Sequence, residues 1–146
     1  MAKIFSNNGM YMIGRNVSVD EYGAIPNLSF YRKHYDKVAA YTVLAGDTGA
    51  VFTNYGATTA VTFTLPAITD GSYEFEFVAL ADFAITIASG TADTLITFND
   101  AAADSVALST ASEIIGGGVK VCCNGTYVYA LQTGIGGHRQ TLTVAT

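Results

Sequence analysis

Tryptophan is absent from this chain of 146 residues, proline and cysteine occur twice each, and only 13% of the residues are charged. Each scarcity excludes something. The two cysteines, Cys122 and Cys123, are adjacent. Neighbours on a strand point to opposite faces, so a bond between them would need unusual backbone. No further soft ligands lie near them in sequence, so a structural metal site is not expected either. The simple reading is two small strand residues, one facing in and one facing out. No apolar run approaches the roughly 18 residues of a membrane span. The start, Met1 to Asn8, lacks the apolar core of a signal peptide, so synthesis and use in a cytoplasm are expected. Asn-x-Ser/Thr triplets at Asn16, Asn27 and Asn124 then carry no glycosylation meaning.

The charge fraction is about half the ~25% usual in soluble domains. Threonine, alanine, glycine and serine take the place of the missing charges, which suits a β-protein whose surface is partly in contact with other protein. The charges are also uneven. Before Tyr41, Lys3, Arg15, Arg32, Lys33 and Lys37 stand against Asp20, Glu21 and Asp36, a balance of 5 − 3 = +2. From Tyr41 onward, Lys120 and Arg139 face nine carboxylates, 2 − 9 = −7, which restores the overall −5. A domain so acidic repels phosphate, which argues against nucleic acid as its target.

What is present is strand after strand. Val61, Phe63 and Leu65 alternate with Thr62 and Thr64 until Pro66. Asp70-Gly71 marks a turn. Tyr73, Phe75 and Phe77 then share one face, with Glu74 and Glu76 on the other. Phe83, Ile85 and Ile87 follow, then Leu95, Ile96 and Phe98. Asn99 to Asp104 reads as an exposed loop, and the alanine-rich stretch Asp100–Ser112 has room for one helical turn. Val106 and Leu108 resume the alternation and Gly116-Gly117-Gly118 breaks it. Val119, Val121 and Cys123 lead into Asn124-Gly125, and Tyr127, Tyr129 and Leu131 lead out. Asn-Gly between alternating runs is a strong hairpin signal, because both residues tolerate φ > 0. Gly134–Gly137 reads as a link, and Leu142 and Val144 as a last strand, at an edge or lent to a neighbour. About ten short strands at this spacing predict an all-β, antiparallel β-sandwich or barrel, jelly-roll-like, over 41–146.

Residues 1–40 differ. Asn7-Asn8-Gly9, Asp20, Gly23 and Pro26-Asn27 punctuate them, and their aromatic and aliphatic side chains keep no period. Ordering forty residues costs at least about 40 kcal/mol in backbone entropy. At ~25 cal/mol per Å² this demands on the order of 1,600 Å² of apolar burial. The expectation is therefore an extended N-terminal arm that becomes ordered on neighbouring subunits or a larger partner; the alternative is that the segment holds extra strands of the same domain. Phe5, Tyr11, Tyr22, Phe30, Tyr31, Arg32 and Lys33 are its candidate partner-binding residues, aromatic and basic side chains being favoured interface anchors.

Catalytic signatures are missing. There is no Gly-x-Ser-x-Gly elbow and no His-Glu-x-x-His helix. Gly116–Lys120 lacks the spacing and the Ser/Thr of a phosphate loop. His34 and His138 are far apart in sequence. Glu74 and Glu76 read as a solvated face rather than a glycosidase pair, and Asp93, Asn99, Asp100 and Asp104 do not have EF-hand spacing. No catalytic residue, metal or cofactor is expected.

The runs Val61-Thr62-Phe63-Thr64-Leu65-Pro66, Gly71-Ser72-Tyr73-Glu74-Phe75 and Ile85-Thr86-Ile87, with the ending Gly118-Val119-Lys120-Val121-Cys122-Cys123-Asn124-Gly125-Thr126-Tyr127, resemble a β module of tailed-phage virion proteins. That module often has tryptophan where Tyr127 stands. The resemblance covers roughly Tyr41 to Leu131, and the short chain without a repetitive shaft is most similar to the head decoration (cement) proteins. It implies a non-enzymatic virion structural protein on the capsid exterior. The partners it implies are the major capsid protein and further copies of the chain, as a homo-oligomer such as a trimer, without nucleic acid or membrane. The alternative is a tail- or fibre-associated module that binds a receptor or carbohydrate through exposed tyrosines.

Overall fold

A computed structural model of the protein describes residues 32–109, 114–133 and 142–146. The chain divides into two units, Met1–Tyr31 and Arg32–Thr146, and all the described residues belong to the second. Its strands are β1 (His34–Asp36), β2 (Tyr41–Thr42), β3 (Val51–Thr53), β4 (Val61–Thr64), β5 (Ser72–Val78), β6 (Ile85–Ala88), β7 (Leu95–Thr97), β8 (Asp100–Ala103), β9 (Ser105–Leu108), β10 (Gly118–Asn124), β11 (Val128–Thr133) and β12 (Leu142–Ala145). Among the described residues the only helical pieces are short 3₁₀ turns at Ala45–Asp47 and Ile68–Asp70. The fold is all-β, and no described helix is long and apolar enough to cross a membrane.

The strands form a seven-stranded sheet, β1-β3-β5-β10-β11-β7-β8, and a five-stranded sheet, β12-β9-β6-β4-β2. The sequence predicts antiparallel pairing, but the sheets are mixed. The pairs β1/β3, β3/β5, β2/β4, β4/β6 and β7/β11 are parallel. The reason lies in the connections. From β1 to β6 the chain alternates between the two sheets, so strands two apart in sequence become neighbours running the same way. The turn signals at Pro66 and Asp70-Gly71 carry the chain across to the facing sheet instead of folding it back on itself. Period-2 alternation reports which face is buried and is silent on which strand is the neighbour.

The winding stacks like on like. Tyr35, Phe52 and Phe77 are in register across β1, β3 and β5. Their rings stack at 5.2 Å (Tyr35–Phe52) and 5.5 Å (Phe52–Phe77). Phe63 of the facing sheet closes on Phe52 at 5.7 Å and on Phe77 at 5.2 Å. The two inner faces thus make one core, with Val61, Leu65, Phe75, Ile85, Ile87, Leu95, Val106, Leu108, Val119 and Val121 all buried in it. The expected inward face of β5, Tyr73, Phe75 and Phe77, is the one observed. Cys123 is buried and Cys122 partly exposed, as one-in, one-out alternation requires.

Three local expectations need correction. Asn99–Asp104 is no open loop and Asp100–Ser112 carries no helical turn in its described part. Asp100–Ala103 and Ser105–Leu108 are strands, because Ala103 pairs with buried Leu95 and Val106 and Leu108 face the core. The β10–β11 hairpin exists, but its turn is centred one residue later, on Gly125-Thr126. Gly125 alone takes positive φ, at +86°. Asn124 contributes its side chain, whose Oδ1 accepts from Thr126 N (2.9 Å) and Tyr127 N (3.0 Å). The last strand lies at an edge, paired with β9 of its own chain.

A buried polar group ties the start of β5 to the turn before it. The Tyr73 hydroxyl donates to the Pro66 carbonyl at 2.9 Å. Burial, and then the neighbouring Cys123 thiol, push its pKa well above the ordinary value of 10. A phenol with a raised folded-state pKa contributes stability that is fully present below about 10 and is lost as pH climbs towards the folded value. Tyr73→Phe is therefore expected to cost about 1 kcal/mol at neutral pH. It should also shrink the loss of stability above pH 10, both measured by urea unfolding at stepped pH.

Candidate functional site: an apolar platform on the larger sheet

Directly opposed residues share a face, so Cys123 and Val121 of β10 bring Val128 and Ala130 of β11 into the core. Tyr127, Tyr129 and Leu131 are turned to the outer face. β7 lies parallel beside β11 with Ile96 opposite Tyr129 and Leu95 opposite buried Val128, which turns Ile96 outward as well. Ile96, Phe98, Tyr127 and Leu131 are between 42% and 54% exposed. The Tyr127 and Tyr129 rings are 6.1 Å apart. Scattered exposed apolar residues are ordinary, whereas a contiguous group on a rigid sheet marks a contact surface.

The β7–β8 turn completes the platform. Thr97 pairs with Asp100, leaving Phe98-Asn99 as a two-residue turn with φ of +41° and +69°. Both central residues thus have the positive φ of the type I′ turn, which Asn-Gly adopts most readily. Asparagine tolerates this region; for phenylalanine it is strained, at a cost of order 1–3 kcal/mol. The strain does not build the core, since the Phe98 ring is 47% exposed. It presents the ring to a concavity of about 580 Å³, lined by Tyr127, Tyr129, Ala130 and Leu131 and by Ile96 to Ala101.

Beside the platform, on β5 and β10, the outer face is charged. Lys120 Nζ lies 2.9 Å from Glu74, and Arg32 pairs with Glu76. The hydrogen bond from Lys120 holds the Glu74 carboxyl below the usual range and the Lys120 amine above its own. Cys122 stands between Glu74 and Tyr129 in register, and this thiol raises the Tyr129 phenol pKa.

Of the residues assigned to partner binding, Phe5, Tyr11, Tyr22, Phe30 and Tyr31 lie outside the described residues. Arg32 and Lys33 lie at the start of the sheet-bearing unit. Arg32 Nε donates to the Gly49 carbonyl at 2.8 Å and Nη2 to Ala50 at 3.4 Å. Lys33 Nζ lies 3.6 Å from Asp47. The stretch read as arm therefore ends in structure: β1, with Tyr35 stacked on Phe52, is a strand of the larger sheet. Asp104 Oδ1 accepts from Asp93 N and Asp100 Oδ1 from Ala102 N, each at 2.9 Å, so these carboxylates brace local turns. No group of three or more His, Cys, Asp or Glu placed to hold a metal occurs among the described residues.

The platform was not singled out from sequence. The signal for it is that Val128–Leu131 is apolar at every position, so whichever set lines the core leaves another apolar set outside. No family model, curated protein or solved structure matches this chain.

Proposed function

We propose that the chain is a virion structural protein of a tailed phage, a decoration protein that binds the outside of the major capsid lattice as a homo-oligomer and acts without catalysis. One observation carries the reading. The chain divides at Tyr31/Arg32 into a leading segment and a sheet-bearing unit with a solid core. The leading segment contains five of the seven residues assigned to partner contact. A rigid body with a sticky segment suits a clamp on a repeating protein surface. Aromatic burial supplies affinity and the few charges set register. The resemblance to the virion β module and the low charge of the chain support the same reading.

The cut that tests it follows the structure, between Tyr31 and Arg32. Removing residues through Lys37 would take away β1, the Tyr35–Phe52 stack and the Arg32–Glu76 pair. The chain lacking Met1–Tyr31 is expected to unfold cooperatively like the full chain and to lose sedimentation with capsids assembled without the protein. Equal sedimentation of both forms would refute the role given to the segment.

A further inference from the structure

The geometry points to a binding site for a neutral saccharide in the concavity between the Phe98-Asn99 turn and β11. This does not rest on the capsid reading, because it uses only residues 96–101 and 127–131. The volume, about 580 Å³, falls within the roughly 300–1,000 Å³ of small-molecule sites. A sugar ring has an apolar C–H face and a rim of hydroxyls, and the lining matches both parts. Phe98, Tyr127 and Tyr129 offer aromatic surface for the face, with Ile96 and Leu131 extending it. The Asn99 amide, the Asp100 carboxylate and the two phenol hydroxyls offer donors and acceptors for the rim.

Charge selects among ligands. Asp100 is the one charged residue of the lining, which contains no lysine or arginine. A phosphate, a nucleic acid or an acidic sugar would meet that carboxylate, and Lys120, opposite Leu131 on β10, is already paired with Glu74, whereas a neutral sugar donates hydroxyls to the carboxylate. The strained turn fits the same purpose. It holds Phe98 at the concavity on a two-residue loop with little freedom to lose on binding.

The test uses the full chain, titrated with neutral hexose oligosaccharides of gluco, galacto and manno series while backbone and tyrosine-ring NMR signals are followed. Shifts confined to residues 96–101 and 127–131 with one series are expected. Tyr127→Ala should weaken that binding about tenfold, the loss of one stacking partner. The double change Phe98→Asn with Asn99→Gly should raise the melting temperature and still weaken binding, so that unfolding cannot account for the loss. Tyr55→Ala, an exposed ring outside the concavity, should bind as the parent does. Absence of shifts with every series, or binding that survives both platform variants, overturns the proposal. So does loss of capsid sedimentation by the platform variants in a protein that binds no sugar, which would make this face a protein contact.

Discussion

Phe52→Ala is expected to lower folding stability by about 3–5 kcal/mol, the largest effect of any single truncation in this core. Phe52 is fully buried and is the hub of the aromatic cluster. It stacks on Tyr35 and Phe77, tilts against Tyr41 and Phe63, and meets Phe75 edge-on at 5.8 Å. It is also the middle of the in-register series through β1, β3 and β5, so its loss leaves Tyr35 and Phe77 without their shared neighbour. Domains of this size carry only about 5–15 kcal/mol in total, so the variant should sit near the threshold of folding. Leu44→Ala, at a residue 60% exposed, should change stability by no more than about 0.5 kcal/mol. Chemical denaturation of the two variants gives the comparison directly.

Asn54 should be nearly as intolerant, for a different reason. It is a fully buried polar residue at the end of β3. Its Oδ1 accepts from Leu80 N at 2.7 Å and Ala81 N at 2.9 Å. Its Nδ2 donates to the Ala81 carbonyl at 3.2 Å and the Phe83 carbonyl at 2.9 Å. One amide thus serves four backbone groups and fixes the passage from β5 to β6. Asn54→Ala removes these four part-buried bonds, and with water able to reach some of the freed groups the expected loss is about 2–4 kcal/mol. Asn54→Asp keeps the two accepting bonds but turns a carboxylate towards two carbonyls. Its folded-state pKa should therefore lie above the unfolded one, so the penalty is smallest in acid and grows as the carboxyl ionises. Urea midpoints of both variants at acid and neutral pH separate the two effects.

The inward face of β5 was legible in the sequence because Tyr73, Phe75 and Phe77 alternate with Glu74 and Glu76, and charge cannot sit in the core. The pairing of β3 with β5 was not, because Phe52 and Phe77 are brought together by a chain that changes sheet at every strand, and alternation holds no record of that. Asn54 was missed for a related reason. An asparagine between Thr53 and Tyr55 looks like an ordinary turn residue until Leu80, Ala81 and Phe83 are placed against it. The platform escaped because Tyr127, Tyr129 and Leu131 look like core residues. Only the register of β10 with β11 gives that role to Val128 and Ala130. Phe98 is the sharpest local conflict. An apolar residue that continues a strand pattern instead occupies a turn position suited to asparagine or glycine, and such conflicts concentrate where structure serves binding.

The proposed role is a clamp on a capsid surface, made through the leading segment. Electron microscopy of capsids incubated with the full chain, and in parallel with the chain lacking Met1–Tyr31, tests it most directly. A clamp of this kind gives symmetric density of a two-sheet body on the capsid exterior, continued by an ordered segment between capsid subunits, and bare capsids with the shortened chain. Bare capsids with the full chain, or equal decoration by both, would contradict it.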